Sequence, residues 1–495
     1  MPVFLLLALF LAFGVDSLAA PAPVGAGEAT GWVAGLVLGV GLLAGGTSLG
    51  VAARLRRDVP GAGVGSRRVL RRGSRLVTAA VLGSYGWIIL GLGWAEVVRG
   101  AWGLRDAILV DELLILAPFL ALQLAAWVGL APGERAARRA ARGASAGSTS
   151  LAWAVVTRAR QSLGMVLPAT FLFATGQDLA RWAWPARAAD PGFQFGMMIA
   201  LGGAVLVLAP AFVRLSWPTR SLPAGPLRDR LERVAARFRF RCTDILLWDT
   251  DGTVVNAGVT GAFPYFRYVL LTDALIAHLN DHEVAAVFGH EVGHARHRHL
   301  AFFGLFFVGS VGVVTLFGAS VGEPALRALL PADLAPTWQA AAQGGVVLAG
   351  ALAYFGVVFG HLSRRFERQA DVFGARAVSC DRVECPPHPD PYAHRTPAEL
   401  AKLDERAPIC PVGLRTFINA LRAVAVLNGI DPKARSWRHG SIARRVAFLE
   451  QLEDRPDAER RFQAGINRLR VIVAVVLAAA LALAFETGAM AQLGS

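Results

Sequence analysis

Long apolar runs separated by short polar segments dominate the first part of the chain and recur further along it. They occupy residues 3–20, 31–53, 76–98, 107–130, 161–179, 193–214, 301–321, 343–361 and 471–488. Each run is close to the ~20 residues that a helix needs to cross the hydrocarbon core of a bilayer. The pattern predicts about nine membrane-spanning helices, with a signal peptide cleaved near Ala19 as the alternative for the first run.

Two long stretches lack this apolar character, residues 216–300 and 362–466. Only two predicted spans, 301–321 and 343–361, separate them, so both stretches lie on the same side of the membrane. In the first stretch, residues 253–272 form two runs rich in Val and aromatic residues, as β-strands do. The sequence therefore predicts a mostly α fold, in which a multi-spanning membrane helix bundle carries a split globular domain with a small β hairpin or sheet.

This interpretation divides the chain into consecutive segments. They are an N-terminal transmembrane bundle of about six spans (1–215), the first part of the globular domain (216–300), two transmembrane helices (301–361), the second part of the globular domain (362–466) and a C-terminal transmembrane helix (467–495).

Composition and charge support a membrane protein. The 495 residues are 54% hydrophobic and only 17% charged, whereas an ordinary soluble domain has about 25% charged residues. The net charge of +14 is concentrated in arginine-rich segments at 54–75 and 135–160, which follow the second and fourth apolar runs. The alternate loops are poor in arginine, which is the positive-inside pattern. The charge therefore orients the chain in a lipid bilayer, with the globular domain on the cytoplasmic side, and does not indicate a nucleic-acid partner.

The choice of basic residues and the number of cysteines indicate the organism and compartment of the protein. Lys402 and Lys433 are the only lysines among 50 basic residues, which is typical of a GC-rich bacterial genome. The chain has only four cysteines, too few for a disulfide framework. We predict a multi-pass protein of the bacterial inner membrane.

One short segment carries recognisable chemistry. Residues 280–299 read NDHEVAAVFGHEVGHARHRH, and Asn280 with Glu283 is a variant of the helix capping box. His290 and His294 are four residues apart and share a helix face, so both imidazoles can reach one zinc ion. Glu291 lies beside the first histidine and can accept a proton from the attacking water. A solvated helix face with incidental histidines is the alternative.

A second segment can complete the zinc site, since a catalytic zinc usually has three protein ligands and one open position. Residues 363–374 read SRRFERQADVFG at the start of the second polar stretch. Glu367 and Asp371 are four residues apart on one helix face. Glu367 can be the third ligand, and Asp371 can hydrogen-bond a ligand imidazole and orient it. A charged juxtamembrane helix with Arg–Glu pairs is the alternative.

The motifs HEVGH and SRRFERQAD, with two spans between them, resemble those of the integral-membrane zinc metalloprotease family. That family contains the CaaX prenyl protease and HtpX, and FERQAD is closer to the CaaX protease branch. The resemblance implies a zincin-like (gluzincin) catalytic domain and a zinc metalloendopeptidase acting on peptide or protein substrates. It implies one catalytic zinc ion with His290, His294 and Glu367 as ligands and Glu291 as the base.

Two weaker similarities to this family extend the candidate site. Asn256 and Ala257 resemble an edge strand that binds the substrate backbone by strand addition, although Gly258 follows where the family usually has a bulky aromatic residue. Residues 437–450, WRHGSIARRVAFLE, resemble the family's His-x5-Arg segment, which implies that His439 and Arg445 stabilise the oxyanion. A capped helix with basic residues is the alternative for this second segment.

Two other functional classes remain open. A non-catalytic membrane scaffold or transporter with a degenerate metal site is one, although decay of such a site tends to remove the base, and Glu291 is present. The other is a phosphatase of the haloacid-dehalogenase type, because residues 249–253 read DTDGT with Asp249 in the position of the nucleophile. Fewer than ~40 residues lie between this motif and HEVGH, too few for a Rossmann-like domain, and Asp-Gly also fits a hairpin turn.

The remaining cysteines and histidines have open roles. Cys380, Cys385 and Cys410 lie in a Pro-rich insertion, where a second, structural zinc site and reduced thiols are the two interpretations. His297 and His299 are assigned to the membrane boundary, with contact between His297 and the zinc site as the alternative.

Overall fold

The computed structural model describes most of the chain. The described residues are 24–56, 62–105, 107–142, 150–164, 166–188, 190–252, 254–331, 336–380, 385, 390–404, 407–454 and 456–490. The apolar run at 3–20 lies outside them, so neither interpretation of that run is tested.

In the N-terminal part, up to residue 216, the described residues form helices joined by short loops. Its α-helices are α1 (Ala26–Arg56), α2 (Ala62–Gly86), α3 (Trp94–Glu96), α4 (Val110–Arg142), α5 (Leu151–Leu163), α6 (Val166–Ala183), α7 (Pro185–Ala188) and α8 (Pro191–Ser216), with π-helical turns at Trp87–Gly91 and Val97–Ala101. The buried side chains of Tyr85, Ile115 and Phe119 belong to the core between α2 and α4.

After residue 216 the described part of the chain contains four short strands, several short helices and three further long apolar helices. Its strands are β1 (Thr219–Ser221), β2 (Asp244–Trp248), β3 (Ala257–Thr260) and β4 (Tyr268–Thr272). Its α-helices are α9 (Pro226–Arg237), α10 (Asp273–His278), α11 (Asp281–Arg296), α12 (His299–Phe317), α13 (Glu323–Leu329), α14 (Pro336–Tyr354), α15 (Gly360–Ala377), α16 (Pro397–Leu400), α17 (Pro411–Leu427), α18 (Ile442–Asp454) and α19 (Pro456–Glu486). Further π-helical turns occupy Gly318–Gly322 and Phe355–Phe359, and a 3-10 turn occupies Pro264–Phe266.

Within the described residues, seven helices are long and apolar enough to cross a membrane. They span Ala26–Arg56, Arg72–Gly91, Val110–Ala137, Gly192–Ser216, His299–Leu326, Gly345–Ala377 and Asp457–Glu486. The predicted run at 161–179 is helical, as α6, but is not among the seven. The chain is thus a multi-pass membrane protein. The last span packs on α12, where a side chain at Gly312 would lie 2.5 Å from Leu481 Cα, so the small residue permits the close approach that membrane helices use.

The sheet has four strands in the order β1-β2-β4-β3. Strands β2 and β4 are parallel, whereas β1 pairs antiparallel with β2 and β3 pairs antiparallel with β4. The hairpin turn suggested at Asp251-Gly252 is therefore wrong, because β4 lies between the two strands that flank it. The loop is held by Asp273, which accepts the N–H of Thr250 over 3.0 Å and that of Gly252 over 2.6 Å.

The two polar stretches form one hydrophobic core beside the membrane helices. Residues from β2, β4, α9, α11, α15, α17 and α18 contribute to it. Helices α11 and α15 pack closely because glycines face the partner helix. A Cβ at Gly293 would lie 2.8 Å from Phe373 Cβ, and one at Gly289 would overlap with the Cβ of Ala377. This close packing brings the HEVGH segment against the SRRFERQAD segment.

Replacing Gly289 by alanine tests the close packing of α11 and α15. The added methyl group collides with Ala377 Cβ, which cannot rotate away, so we expect a loss of about 1–3 kcal/mol in stability and a lower melting temperature in detergent. The control is Gly465→Ala in α19, where a Cβ meets nothing within 4 Å and melting should not fall. Equal melting temperatures for the two variants would show that the helices are not tightly packed at this point.

Candidate metal centre

Helix α11 presents the first two candidate ligands from a firmly anchored N-terminus. The predicted capping box is confirmed, because Asn280 Oδ1 accepts the N–H of Glu283 over 2.9 Å and Glu283 Oε2 accepts the N–H of Asn280 over 3.2 Å. Val284 and Phe288 are fully buried on the core side. Their burial fixes the rotation of the helix, so the histidines one turn later face α15.

The predicted ligand side chains converge. The Nε2 atoms of His290 and His294 are 3.2 Å apart. Glu367, on α15, places Oε2 3.8 Å from His290 Nε2 and Oε1 3.7 Å from His294 Nε2. One ligand atom from each of the three residues lies within 4.8 Å of the others, and all three side chains are buried or half-buried. This group of two imidazoles and one carboxylate could hold a metal ion.

Asp371 orients His290 from the side away from Glu367. Its Oδ1 is 3.1 Å from His290 Nδ1, and the carboxylate has no exposed surface. Burial lowers the pKa of His290, but the hydrogen bond and charge of Asp371 outweigh burial and raise that pKa above its ordinary value. Since Nδ1 is occupied by Asp371, Nε2 is the nitrogen available to a metal, as in carboxylate–histidine–metal arrangements.

Arg445 connects the two carboxylates of α15. Its Nε donates to Asp371 Oδ2 over 2.8 Å, its Nη2 bonds the other oxygen of Asp371, and its Nη1 is 3.3 Å from Glu367 Oε2. The guanidinium is buried among these groups. The sequence implied a role on the oxyanion for this arginine, and these contacts give it a second one, which is to hold the carboxylates in place.

His294 is oriented by a residue whose role the sequence analysis missed. His299 Nδ1 lies 2.8 Å from His294 Nδ1, and His299 Nε2 lies 2.9 Å from Gln369 Oε1. The ring of His299 is buried and stacks on Phe366 at a centroid distance of 4.3 Å. Burial, together with the charge of His290, lowers the pKa of His294 to about 3, which keeps its imidazole in the neutral form that binds metals.

The missed contact follows from a turn, not from helix periodicity. Helix α11 ends at Arg296, and Arg298 has a positive φ of 52°, so the chain reverses direction before α12 begins at His299. His297, which shares the helical face of His290, instead stacks beside His299 at 5.7 Å. His294 and His299 are five positions apart, a spacing that does not place two residues on the same face of a helix.

The other predicted residues surround the same centre. Glu291 lies next to His290, and burial together with the charge of Glu367 raises the pKa of Glu291 above its ordinary value. His439 places Nδ1 2.9 Å from Glu367 Oε1 and is half exposed. It lies on a tight loop closed by hydrogen bonds between Ser436 and Gly440, where Gly440 has a φ of +74°.

Strand β3 forms an edge of the sheet beside α11. The N–H of Thr272 donates to the carbonyl of Asn256 over 3.1 Å, so the backbone of Asn256 faces β4. Because backbone groups alternate between the two sides of a strand, those of Ala257 and Val259 face away from β4. Consistent with this, the backbone of Val259 contributes to the electrostatic environment of Glu291 and partly offsets the rise in the pKa of that carboxyl.

The site opens into a cavity of about 1940 Å³. One wall consists of the candidate ligands, Glu291, His439 and the edge of β3. The cavity is also lined by apolar side chains of the long helices, among them Phe173, Leu206 and Phe307. A molecule in this cavity would contact both the polar site and the apolar surface of the membrane helices.

The chain is similar to known peptidase sequences. Residues 221–384 match the sequence model of Peptidase family M48. The chain is 27% identical over 213 residues to a protein named "Protease HtpX homolog" from Pyrobaculum islandicum, covering 42% of this chain and 56% of that protein. It is 29% identical over 99 residues to "CAAX prenyl protease 1 homolog" from Arabidopsis thaliana, covering 20% of this chain and 22% of that protein. The matches thus span little more than half of the first relative and less than a quarter of the second.

The fold is also similar to a solved one. The crystal structure of S. mikatae Ste24p superposes with a TM-score of 0.50 at 14% identity, covering 84% of this chain and 98% of that chain. That likeness confirms the predicted fold, a membrane helix bundle with a small sheet. The match to the Peptidase family M48 model covers the part of the chain that holds His290, His294 and Glu367, and it confirms the resemblance to the integral-membrane zinc metalloproteases.

The orienting contacts predict how metal affinity responds to mutation. We expect Asp371→Asn and His299→Phe each to weaken zinc binding by about 10–100-fold, because each removes the group that fixes one imidazole. Zinc affinity measured by competition with a fluorescent chelator provides the test. His297→Phe is the control, since His297 stacks near the site without bonding His294. Equal affinities for the His299 and His297 variants would contradict the orienting role of His299.

Proposed function

We propose that this protein is a membrane-integral zinc metalloendopeptidase. The observation that carries the proposal is the convergence of His290, His294 and Glu367 at one wall of a large cavity, with Glu291 beside them. The match to peptidase family M48 supports the same activity. Two histidines and one glutamate form one of the ligand sets used by catalytic zinc ions, which leaves a position open for water or substrate.

The proposed chemistry divides among the residues of the chain. Zinc, when bound by the three ligands, supplies Lewis acidity toward the scissile carbonyl and the attacking water. Glu291 accepts a proton from that water and later donates it to the leaving amine. Its raised pKa suits both steps, since a carboxylate whose pKa lies closer to neutrality can accept and return a proton.

His439 and Arg445 take different parts in this proposal. His439 is half exposed at the cavity wall, so it is placed to donate to the oxyanion that develops on the substrate carbonyl. Arg445 directs two of its nitrogens at Asp371 and the third at Glu367, so it positions the metal ligands as well.

The edge of β3 suggests how an extended substrate binds. The outward backbone groups of Ala257 and the side chain of Asn256 are available for strand addition, the common way in which a peptide docks on an exposed sheet edge. The apolar side chains of the helices that line the cavity favour peptides with a hydrophobic segment or a lipid group. Prenylated CaaX peptides and damaged or misfolded membrane proteins are the two substrate classes that fit.

We also propose that the catalytic domain lies on the cytoplasmic side of a bacterial inner membrane. The arginine-rich segments that follow the second and fourth apolar runs support this orientation.

Two other functions are less well supported. A scaffold with a degenerate metal site would not require a catalytic base. In this protein Glu291 lies beside a complete ligand set, which argues against a scaffold. For the phosphatase, the Asp249 carboxylate accepts the N–H of Asp251 over 2.9 Å within its own exposed loop, and the four-stranded sheet is small for that class.

The Glu291→Gln variant tests the proposed base. We expect it to keep the zinc content of the wild type and to lose at least 10²–10⁴-fold in kcat, roughly the contribution of a general base. Cleavage of unfolded casein and of a farnesylated CaaX peptide by purified protein, followed by mass spectrometry, is the measurement. Half-buried Glu283 provides the control variant Glu283→Gln, which should cleave normally because the glutamine oxygen can still cap the helix. A Glu291→Gln protein that cleaves at the wild-type rate would contradict the proposed role of Glu291 as the base.

Separate substitutions of His439 and Arg445 test their different parts. His439→Ala should lower kcat by about 10²–10³-fold and leave zinc affinity nearly unchanged, because it removes a donor to the oxyanion. Arg445→Ala leaves Asp371 buried without its cation, so we expect about 3–5 kcal/mol lower stability and weaker zinc binding. If both variants lost only kcat, the positioning role of Arg445 would be excluded.

A further inference from the structure

Three of the four cysteines come together outside the site described above. Cys380 follows the C-terminus of α15, Cys410 precedes α17, and Cys385 lies in the insertion between them. Their sulfur atoms all lie within 4.8 Å of one another. Cys380 and Cys410 are buried, and Cys385 is half-buried. The C-x4-C spacing gives little indication of this convergence, which arises because the end of α15 meets the start of α17.

Backbone N–H groups at the start of α17 point toward these sulfur atoms. The N–H of Gly413 donates to Cys410 Sγ over 3.2 Å, and the N–H of Val412 hydrogen-bonds Cys385. The convergence of three sulfur atoms within 4.8 Å of one another, with two of the cysteines buried, is the arrangement that a thiolate-bound metal ion requires. A metal ion bound among them would displace the thiol protons and hold the three sulfur atoms together. Soft thiolate ligands in this number select zinc among the common divalent ions.

The cluster sits on a rigid support. Ser379 donates to the carbonyl of Ala375 over 2.8 Å and accepts the N–H of Cys410 over 3.1 Å. Arg237, also buried, donates to the carbonyl of Ser379 over 3.1 Å. Two of the three sulfur-bearing residues are thus held in place by contacts that do not involve the cysteine side chains, as in a preformed metal site.

We propose that Cys380, Cys385 and Cys410 bind a second zinc ion with a structural role. The partial exposure of Cys385 leaves room for water as the fourth ligand. This zinc would link the end of α15, which carries Glu367 and Asp371, to α17, whose Phe417 stacks on His290 at 5.8 Å. It would therefore hold the helix of the third catalytic ligand against the HEVGH helix. The proposal does not depend on peptidase activity.

Zinc content and cobalt spectroscopy test this second site. Wild-type protein purified without chelators should contain two zinc ions per chain, and Cys385→Ser should contain one. Cys242→Ser is the matched control and should keep both, because Cys242 is not part of the cluster. Cobalt-substituted wild-type protein should show thiolate-to-cobalt charge-transfer absorption, which Cys385→Ser removes and Glu367→Gln leaves intact. The cobalt spectrum of the wild type needs no variant, so it decides the question even if Cys385→Ser fails to fold.

Two results would overturn the proposal. One is the absence of charge-transfer absorption in cobalt-substituted wild-type protein. The other is a disulfide between two of the three cysteines, found by mass spectrometry in protein that was purified under reducing conditions and rapidly alkylated. A failure of the catalytic site alone would give a different pattern, with one zinc ion that Glu367→Gln does not remove and Cys385→Ser does.

Discussion

Asp371 has no exposed surface, and the groups that balance its charge come from two other parts of the chain. His290 approaches from α11 and Arg445 from α18, so a single buried carboxylate joins three helices. A buried charge without such partners is strongly destabilising, because desolvation is then not offset. The positions of Glu367 and His290 depend on this interaction, since Arg445 also contacts Glu367 and Asp371 also orients His290.

The fold meets this constraint by bringing α11 and α15 unusually close. Gly289 and Gly293 on α11 leave space for Ala377 and Phe373, so the carboxylates of α15 reach the imidazoles without strained side chains. The membrane helices contribute to the same site, because their apolar side chains line the cavity together with Glu291 and β3. Polar site residues and membrane helices therefore line one cavity, so a bound molecule would contact both.

Helix periodicity explains how far sequence reasoning could go. His290 with His294 and Glu367 with Asp371 were predictable as pairs because a spacing of four residues places two side chains on one helix face, and Glu291 was predictable from the HExxH motif. His299 was not, because a residue with positive φ at Arg298 turns the chain back toward His294. Nor was the strand order, because β4 inserts between strands that neighbour one another in sequence. Long-range packing of α15 on α17 likewise decides that the three cysteines meet, and local patterns do not encode it.

X-ray absorption at the zinc edge tests the central claim most directly, when measured on the Cys385→Ser variant, in which only the catalytic ion should remain. We expect a shell of nitrogen and oxygen ligands at about 2.0–2.1 Å, with the outer-shell scattering of two imidazoles, as His290, His294 and Glu367 require. Sulfur ligands at about 2.3 Å, or a zinc ion without imidazole scattering, would contradict the assignment of this site as the metal centre.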